Sequence, residues 1–250
     1  MTTKSAIGVF FLSLIFISCN NMNKPLVIGH RGAMGHETEN TLASIQKAMD
    51  LGVDMIEIDV FKIKSGETVV FHDSDVKRLT DSVGSIEAFN FVDLQKLTLT
   101  GNHKIPTLQD VLNLIDKKVQ LNIELKGSNT ADRVNFIMNY YIKEKGWSID
   151  KFLISSFKWD ELQTMRQLNS KVPIAILVGG DPLQALDIAK ELGAVAINPS
   201  YKDLTLENTH EIKNAGYKIY PWTVNKPEDI KKIAQLGVDG IITNFPERVN

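Results

Sequence analysis

The chain has 250 residues, of which 43% are apolar and 23% charged. That suffices for one domain with a full core and excludes a disordered or collagen-like chain. Lys and Arg total 28 against 30 Asp and Glu, so the basic excess of a nucleic-acid binder is absent, and a single cysteine excludes an intramolecular disulfide framework or a cysteine-cluster zinc site.

Residues 1–18 carry one charge, Lys4, ahead of an almost wholly apolar run from Ile7 to Ile17. As a helix that run spans only about 16 Å, short of a hydrocarbon core of about 30 Å. It has the form of a secretion signal. Cys19 follows Phe16-Ile17-Ser18, a sequence that resembles a bacterial lipobox with Phe16 where Leu is more usual. The expectation is lipid attachment at Cys19, placing the protein in the bacterial cell envelope. A conventional cleavage site beside a bystander cysteine is the alternative. Residues 19–25 then form a polar tether, and the folded domain is expected over 26–250.

Within that domain, short β-branched runs alternate with helical patterns. Strands are predicted at 26–30, 55–60, 120–125, 152–156, 173–178, 194–198, 217–222 and 239–242. Helices are predicted at 40–51, 108–116, 131–144, 159–168, 182–192, 206–215 and 227–236, with Thr107 able to cap the second. Gly193, Gly216 and Gly237 follow the last three as stops. Regular alternation over eight strands is the pattern of a (β/α)8 TIM barrel. The run 68–72 is also strand-like, but only Lys64-Ser65-Gly66-Glu67 separates it from the strand before, and it should pair with 60–64. A parallel crossover needs a dozen or more residues, so these two runs should form an antiparallel β-hairpin. A short irregular insertion, 73–106, follows the second strand and its hairpin. A doubly wound sheet is the runner-up, weakened because no glycine-rich phosphate loop follows the first strand.

Side chains alternate along a strand. Ile56, Ile58 and Val60 therefore oppose Glu57 and Asp59, while Leu121, Ile123 and Leu125 oppose Asn122, Glu124 and Lys126. If the apolar sets face outer helices, Glu57, Asp59 and Glu124 converge on the barrel mouth, where barrel active sites are built. Three close carboxylates repel, and two resolutions are open. One is a hard divalent cation, Mg2+ or Ca2+; the other is a salt-bridge network through Lys126 and Arg31. His30 ends the first strand and His72 ends the hairpin strand, a pair suited to general acid and base work. Arg31 offers a planar fork for a phosphate or a carboxylate. His36, His103 and His210 are expected in loops or at the surface.

The ordered elements resemble a known family. His30-Arg31-Gly32-Ala33, Glu39-Asn40-Thr41, the run from Gly52 to Val60, Val69-Val70-Phe71-His72-Asp73, Ile105-Pro106-Thr107-Leu108 and Asn122-Ile123-Glu124-Leu125-Lys126 are similar to those of the glycerophosphodiester phosphodiesterases. Trp222-Thr223-Val224-Asn225 and the run from Gly237 to Asn244 extend the similarity to the end of the domain. The resemblance implies a phospholipase-C-like phosphodiesterase barrel. It implies His30 and His72 as an acid/base pair, Glu57, Asp59 and Glu124 as ligands of Mg2+ or Ca2+, and Arg31 and Lys126 on the phosphate. The implied reaction hydrolyses a small glycerophosphodiester to glycerol 3-phosphate and an alcohol. Trp222, and likewise Phe157, would pack against the glycerol or leaving group, or lie as core aromatics under loops. Thr38 stands where the family usually has proline, which leaves Glu39 a weaker correspondence. Alternative readings are a phospholipase acting on lysolipids or phosphoinositides, and a non-catalytic phosphodiester-binding lipoprotein.

Overall fold

The structure is a computed structural model and describes residues 24–249. The expected signal, Cys19 and most of the tether lie outside the described residues. The strands are β1 (Leu26–Gly29), β2 (Met55–Lys62), β3 (Thr68–Val70), β4 (Gln120–Leu125), β5 (Phe152–Ser156), β6 (Ile174–Val178), β7 (Ala196–Pro199), β8 (Lys218–Ile219) and β9 (Gly240–Thr243). The α-helices are α1 (Leu42–Asp50), α2 (Phe91–Leu94), α3 (Leu108–Ile115), α4 (Ala131–Lys145), α5 (Trp159–Leu168), α6 (Leu186–Leu192), α7 (Leu206–Asn214) and α8 (Pro227–Gln235).

Parallel pairing runs β8-β7-β6-β5-β4-β2-β1-β9, with β3 antiparallel on β2. The seam between β8 and β9 is closed by separate backbone bonds, Asp239 N to Ile219 O, Ile242 N to Pro221 O and Val224 N to Ile242 O, each 3.0 Å. The result is a (β/α)8 barrel with the expected hairpin, and the doubly wound alternative is set aside. The strand expected over 217–222 is regular only at Lys218–Ile219. Pro221 has no N–H to donate, and the Ile219 N–H goes to the Asp239 carboxylate at 3.0 Å. A regular ladder toward β9 cannot form there, although Tyr220 and Trp222 still bond β7 through Ile197 O and Pro199 O.

Two apolar layers follow from strand alternation. Ile28, Met55, Leu153, Ala175, Tyr220 and Ile242 fill the barrel interior. Ile56, Ile58, Val60, Leu121, Ile123 and Leu125 join the buried layer beneath the helices, with Val111, Leu112 and Met138. Helix ends obey local chemistry. Thr41 caps α1 by accepting from Ser44 N, and Thr107 and Asp110 cap α3 reciprocally. Gly193, Gly216 and Gly237 take left-handed φ of 55°, 92° and 78° as helix stops. The helix expected over 182–192 begins instead as a 3-10 turn at Pro182–Ala185, with Asp181 bonding Leu183 N. The insertion is less irregular than expected. Val76, Ile86, Leu94, Leu99 and Ile105 form a second core against Phe61 and Phe71.

Candidate active site

The C-terminal ends of the strands bring the charged residues to one mouth. Glu57, Asp59 and Glu124 are all buried, and an oxygen of each lies within 4.8 Å of the others. Glu57 Oε2 accepts the Arg31 backbone N–H at 2.8 Å, while Glu57 Oε1 is buried without a hydrogen-bond partner. Asp59 Oδ2 accepts from Asn40 Nδ2 at 2.9 Å and lies 3.3 Å from Arg31 Nε. Glu124 Oε1 is 2.9 Å from Lys126 Nζ, which is also 3.8 Å from Asp59. Burial, then repulsion from Asp59 and Glu124, pushes the Glu57 carboxyl well above the usual carboxylate range. Burial and then Asp59 push Glu124 up to about 7.

The chain bends sharply to present these groups. Arg31 and Asn40 take left-handed φ of 51° and 58°. Gly32 has φ 83°, and a Cβ there would sit 2.5 Å from the Ser44 backbone. The turn after β1 must therefore be glycine if it is to lie against α1 and aim the Arg31 N–H at Glu57.

Both histidines are held by Nδ1. His30 Nδ1 is 2.7 Å from Asn244 Oδ1, and its Nε2 is 4.0 Å from Glu57. Burial and the neighbouring Arg31 lower the His30 pKa to about 4. His72 lies two residues beyond β3, its Nδ1 2.6 Å from Asp73 Oδ1 and its Nε2 3.3 Å from Lys126 Nζ. A carboxylate only accepts, so the His72 Nδ1 carries the proton and its Nε2 faces the site.

A wider ionic network surrounds the mouth. Arg31 donates to Glu39 Oε1 at 2.6 Å, and Arg78 donates to both Glu39 oxygens at 2.7 and 2.8 Å. Arg78 Nε also donates to Asp73 at 2.5 Å. The salt-bridge reading of the sequence is thus present, but it does not balance the charge. Carboxylates at 39, 57, 59, 73 and 124 face cations at 31, 78 and 126. With all five carboxylates ionised the excess is two negative charges, which, with the orphaned Glu57 oxygen, one divalent cation on hard oxygen ligands would satisfy. The acidic set therefore fits such an ion, and Glu57, Asp59 and Glu124 are the residues that could hold it.

Trp222 lies half-buried at the mouth, edge-on to Phe157 with ring centroids 5.3 Å apart. Its Nε1 donates to Asn198 O at 2.8 Å, so it offers the site a ring face rather than a donor. A cavity of ≈ 50 Å³ lies among His30, Glu57, Glu124, Lys126 and Trp222. An open groove of ≈ 890 Å³ continues from it past His72, Lys126 and Phe157 to Phe61, Lys77 and Lys158.

All eight residues singled out from the sequence, His30, Arg31, Glu57, Asp59, His72, Glu124, Lys126 and Trp222, meet at this mouth. His36 and His210 are exposed and His103 half-buried, away from the cavity. Asn40, Asp73, Arg78 and Asn244 had no assigned part. Asn40, Asp73 and Asn244 lie within the motifs quoted above, so the motifs were a usable signal. Arg78 reaches the site only through folding.

Phosphoester chemistry suits this combination of a parallel barrel, a buried acidic trio, two imidazoles and two cationic side chains. A sequence profile described as the glycerophosphoryl diester phosphodiesterase family matches residues 30–248, and the chain belongs to that family of phosphoric diester hydrolases. A glycerophosphodiester phosphodiesterase of Caldanaerobacter subterraneus is 34% identical over 233 residues, covering 90% of this chain and 96% of that protein. Another, from Bacillus subtilis, is 28% identical over 89% of this chain and 84% of its own. The solved structure of an Oleispira antarctica phosphodiesterase, in complex with the product sn-glycerol-3-phosphate, has a TM-score of 0.83. It is 28% identical and covers 90% of this chain and 95% of its own.

Proposed function

We propose that this enzyme hydrolyses small glycerophosphodiesters to glycerol 3-phosphate and an alcohol, with Mg2+ or Ca2+ held by Glu57, Asp59 and Glu124. The observation that carries the reading is the buried acidic trio with its orphaned oxygen, set between two histidines. The product bound in the Oleispira antarctica enzyme supports the glycerol 3-phosphate assignment. The bound cation would neutralise a nonbridging phosphoryl oxygen and orient the glycerol hydroxyls. Arg31 and Lys126 take up the charge that builds on the phosphoryl group. His30 lines the small cavity beside Glu57 and removes the proton of the nucleophile. His72 lines both cavity and groove; in its doubly protonated form, with Nδ1–H held by Asp73, it gives its Nε2 proton to the leaving alcohol as that group departs toward the groove. Trp222 packs its ring on the glycerol or the leaving group.

The test is glycerol 3-phosphate release from glycerophosphocholine and glycerophosphoethanolamine by protein beginning after Cys19. EDTA should abolish turnover and one added cation restore it. His30→Ala and His72→Ala should each abolish turnover in a folded protein; near-normal rates in either would overturn its assignment. The groove, with Phe61, Leu125 and Phe157 on its walls, favours a second reading in which the leaving group is bulkier. Preferential turnover of lysophosphatidylcholine would establish it. The apolar run before Cys19 supports an envelope protein anchored by lipid at that sulfur. Mass spectrometry of the mature N-terminus tests it, and an unmodified Cys19 would refute it.

A further inference from the structure

We infer that Arg78 is a positioning residue: clamped to Glu39 in the turn ahead of α1, its guanidinium holds Asp73, and Asp73 holds His72. The inference rests on the proposed role of His72. Arg78 sits on a 3-10 turn, Val76–Arg78, within the insertion. Val76 anchors the turn in the insertion core. Asp75 fixes its shape, accepting from Lys77 N at 2.8 Å and Gly84 N at 3.1 Å. The three guanidinium nitrogens of Arg78 are all engaged, Nε with Asp73 and the other two with Glu39. Asp73 thereby has one oxygen on Arg78 and the other on His72 Nδ1. Without Arg78 the carboxylate could swing about its own side chain, and the imidazole, on a segment beyond β3, would lose its fixed orientation.

Glu39 supplies the rigid end of this relay. It is 6% exposed, whereas the Arg78 side chain is 46% exposed. Arg31 holds Glu39 from the barrel side. The insertion therefore does more than border the groove: it carries the residue that aligns the general acid. The planar fork presents Nε to Asp73 and both terminal nitrogens to Glu39 in one fixed geometry, which the single ammonium of lysine cannot reproduce, so lysine should not substitute.

The experiment measures kcat and KM for Arg78→Ala, Arg78→Lys, Asp73→Asn and the Arg78→Ala/Asp73→Asn double variant. Two diesters are compared, glycerophosphocholine and a p-nitrophenyl phosphodiester whose leaving group needs little protonation. Circular dichroism reports folding. Partners behind a functional side chain are typically worth roughly ten- to a hundred-fold in activity. Arg78→Ala and Arg78→Lys should lose about that much in kcat on glycerophosphocholine, with KM within about threefold, and clearly less on the activated diester. The double variant should be no slower than Asp73→Asn by more than about threefold, because both changes break one relay. Guanidinium chloride at millimolar concentration should restore part of the Arg78→Ala rate. Lys96→Ala removes an exposed charge from the same insertion, away from the groove, and should leave turnover unchanged. A folded Arg78→Ala with wild-type kcat, equal losses on both diesters, or losses that multiply in the double variant would overturn the inference. If Arg78→Ala does not fold, Arg78→Lys and Asp73→Asn decide by the same criteria. His72→Ala in the same assay separates the two claims. Turnover there refutes the His72 reading, whereas inactive His72→Ala beside normal Arg78 variants refutes only the positioning role.

Discussion

Asn40 and Asp59 hold each other. The Asn40 amide donates to Asp59 Oδ2 at 2.9 Å, and the Asp59 backbone N–H donates to Asn40 Oδ1 at 3.3 Å. Asn40 reaches this position through a left-handed turn that asparagine tolerates better than most side chains. The pair turns Asp59 toward Glu57 and Glu124. Asn40→Ala should therefore weaken Mg2+ or Ca2+ binding by roughly ten- to a hundred-fold, the usual cost of losing a residue behind a metal ligand. Isothermal titration of the cation measures this directly. Unchanged affinity would detach Asn40 from the ion site.

Cation removal should also register in stability. Three buried carboxylates repel in the metal-free protein, and an ion binding only the folded state offsets that repulsion. At about 100 times its Kd such an ion adds about 2.7 kcal/mol. For a domain of this size the melting temperature should rise by roughly 5–10 °C. Glu57→Gln puts a neutral group where ionisation is opposed by burial and by the neighbouring carboxylates, so its cation-free form should be no less stable than wild type while losing most of the cation-induced rise. Differential scanning fluorimetry with and without EDTA decides; an undiminished rise in Glu57→Gln would remove that residue from the ligand set.

Glu161 on α5 secures a different element. Its buried carboxylate accepts the backbone N–H groups of Asn129, Thr130 and Ala131 at the start of α4, the latter two at 3.0 and 2.9 Å. Thr130 makes no side-chain cap of its own. The carboxylate both satisfies those donors and meets the positive end of the helix dipole. Glu161→Ala should cost about 2–3 kcal/mol in urea unfolding, with kcat unchanged because α4 lies outside the mouth. A loss under about 0.5 kcal/mol would show the cap to be dispensable.

Asp73 sets a pH window. Burial opposes ionisation, but hydrogen bonds from Arg78 and then His72 pull its pKa down to about 2, from 3.8. A carboxylate lowered on folding stabilises the protein above its unfolded pKa and loses that effect as pH falls through the folded value. The Asp73 and Arg78 side chains are 25% and 46% exposed, so screening reduces the contribution to about 1 kcal/mol. The gap in unfolding free energy between wild type and Asp73→Asn should be constant above about pH 4 and shrink toward pH 2. A gap that stays level across that range would mean the ion pair contributes nothing on folding.

Much of the barrel was legible from local patterns. Alternation in Ile56-Glu57-Ile58-Asp59-Val60 and in Leu121 to Leu125 separates the outer apolar layer from the mouth, because successive strand side chains must point oppositely. The same rule brings Glu57, Asp59 and Glu124 to one face from the sequence alone. Thr107 and the stops at Gly193, Gly216 and Gly237 were readable because capping and left-handed backbone are local chemistry. The four-residue gap before Thr68 required a hairpin for the same kind of reason.

Other features were decided only by tertiary structure. Whether Pro221 interrupts a ladder depends on which neighbour its missing N–H would face, and that is set by closure of the seam beside Asp239. The insertion core forms because Val76, Ile86 and Leu99 meet Phe61 and Phe71, contacts that no periodicity announces. Asn244 meets His30 across 214 positions, and Arg78 meets Glu39 across 39. A strand carries a period that dictates where its side chains point. An arginine on a short turn has no such period, and its partners are fixed only when packed elements bring Glu39 and Asp73 within reach of one guanidinium.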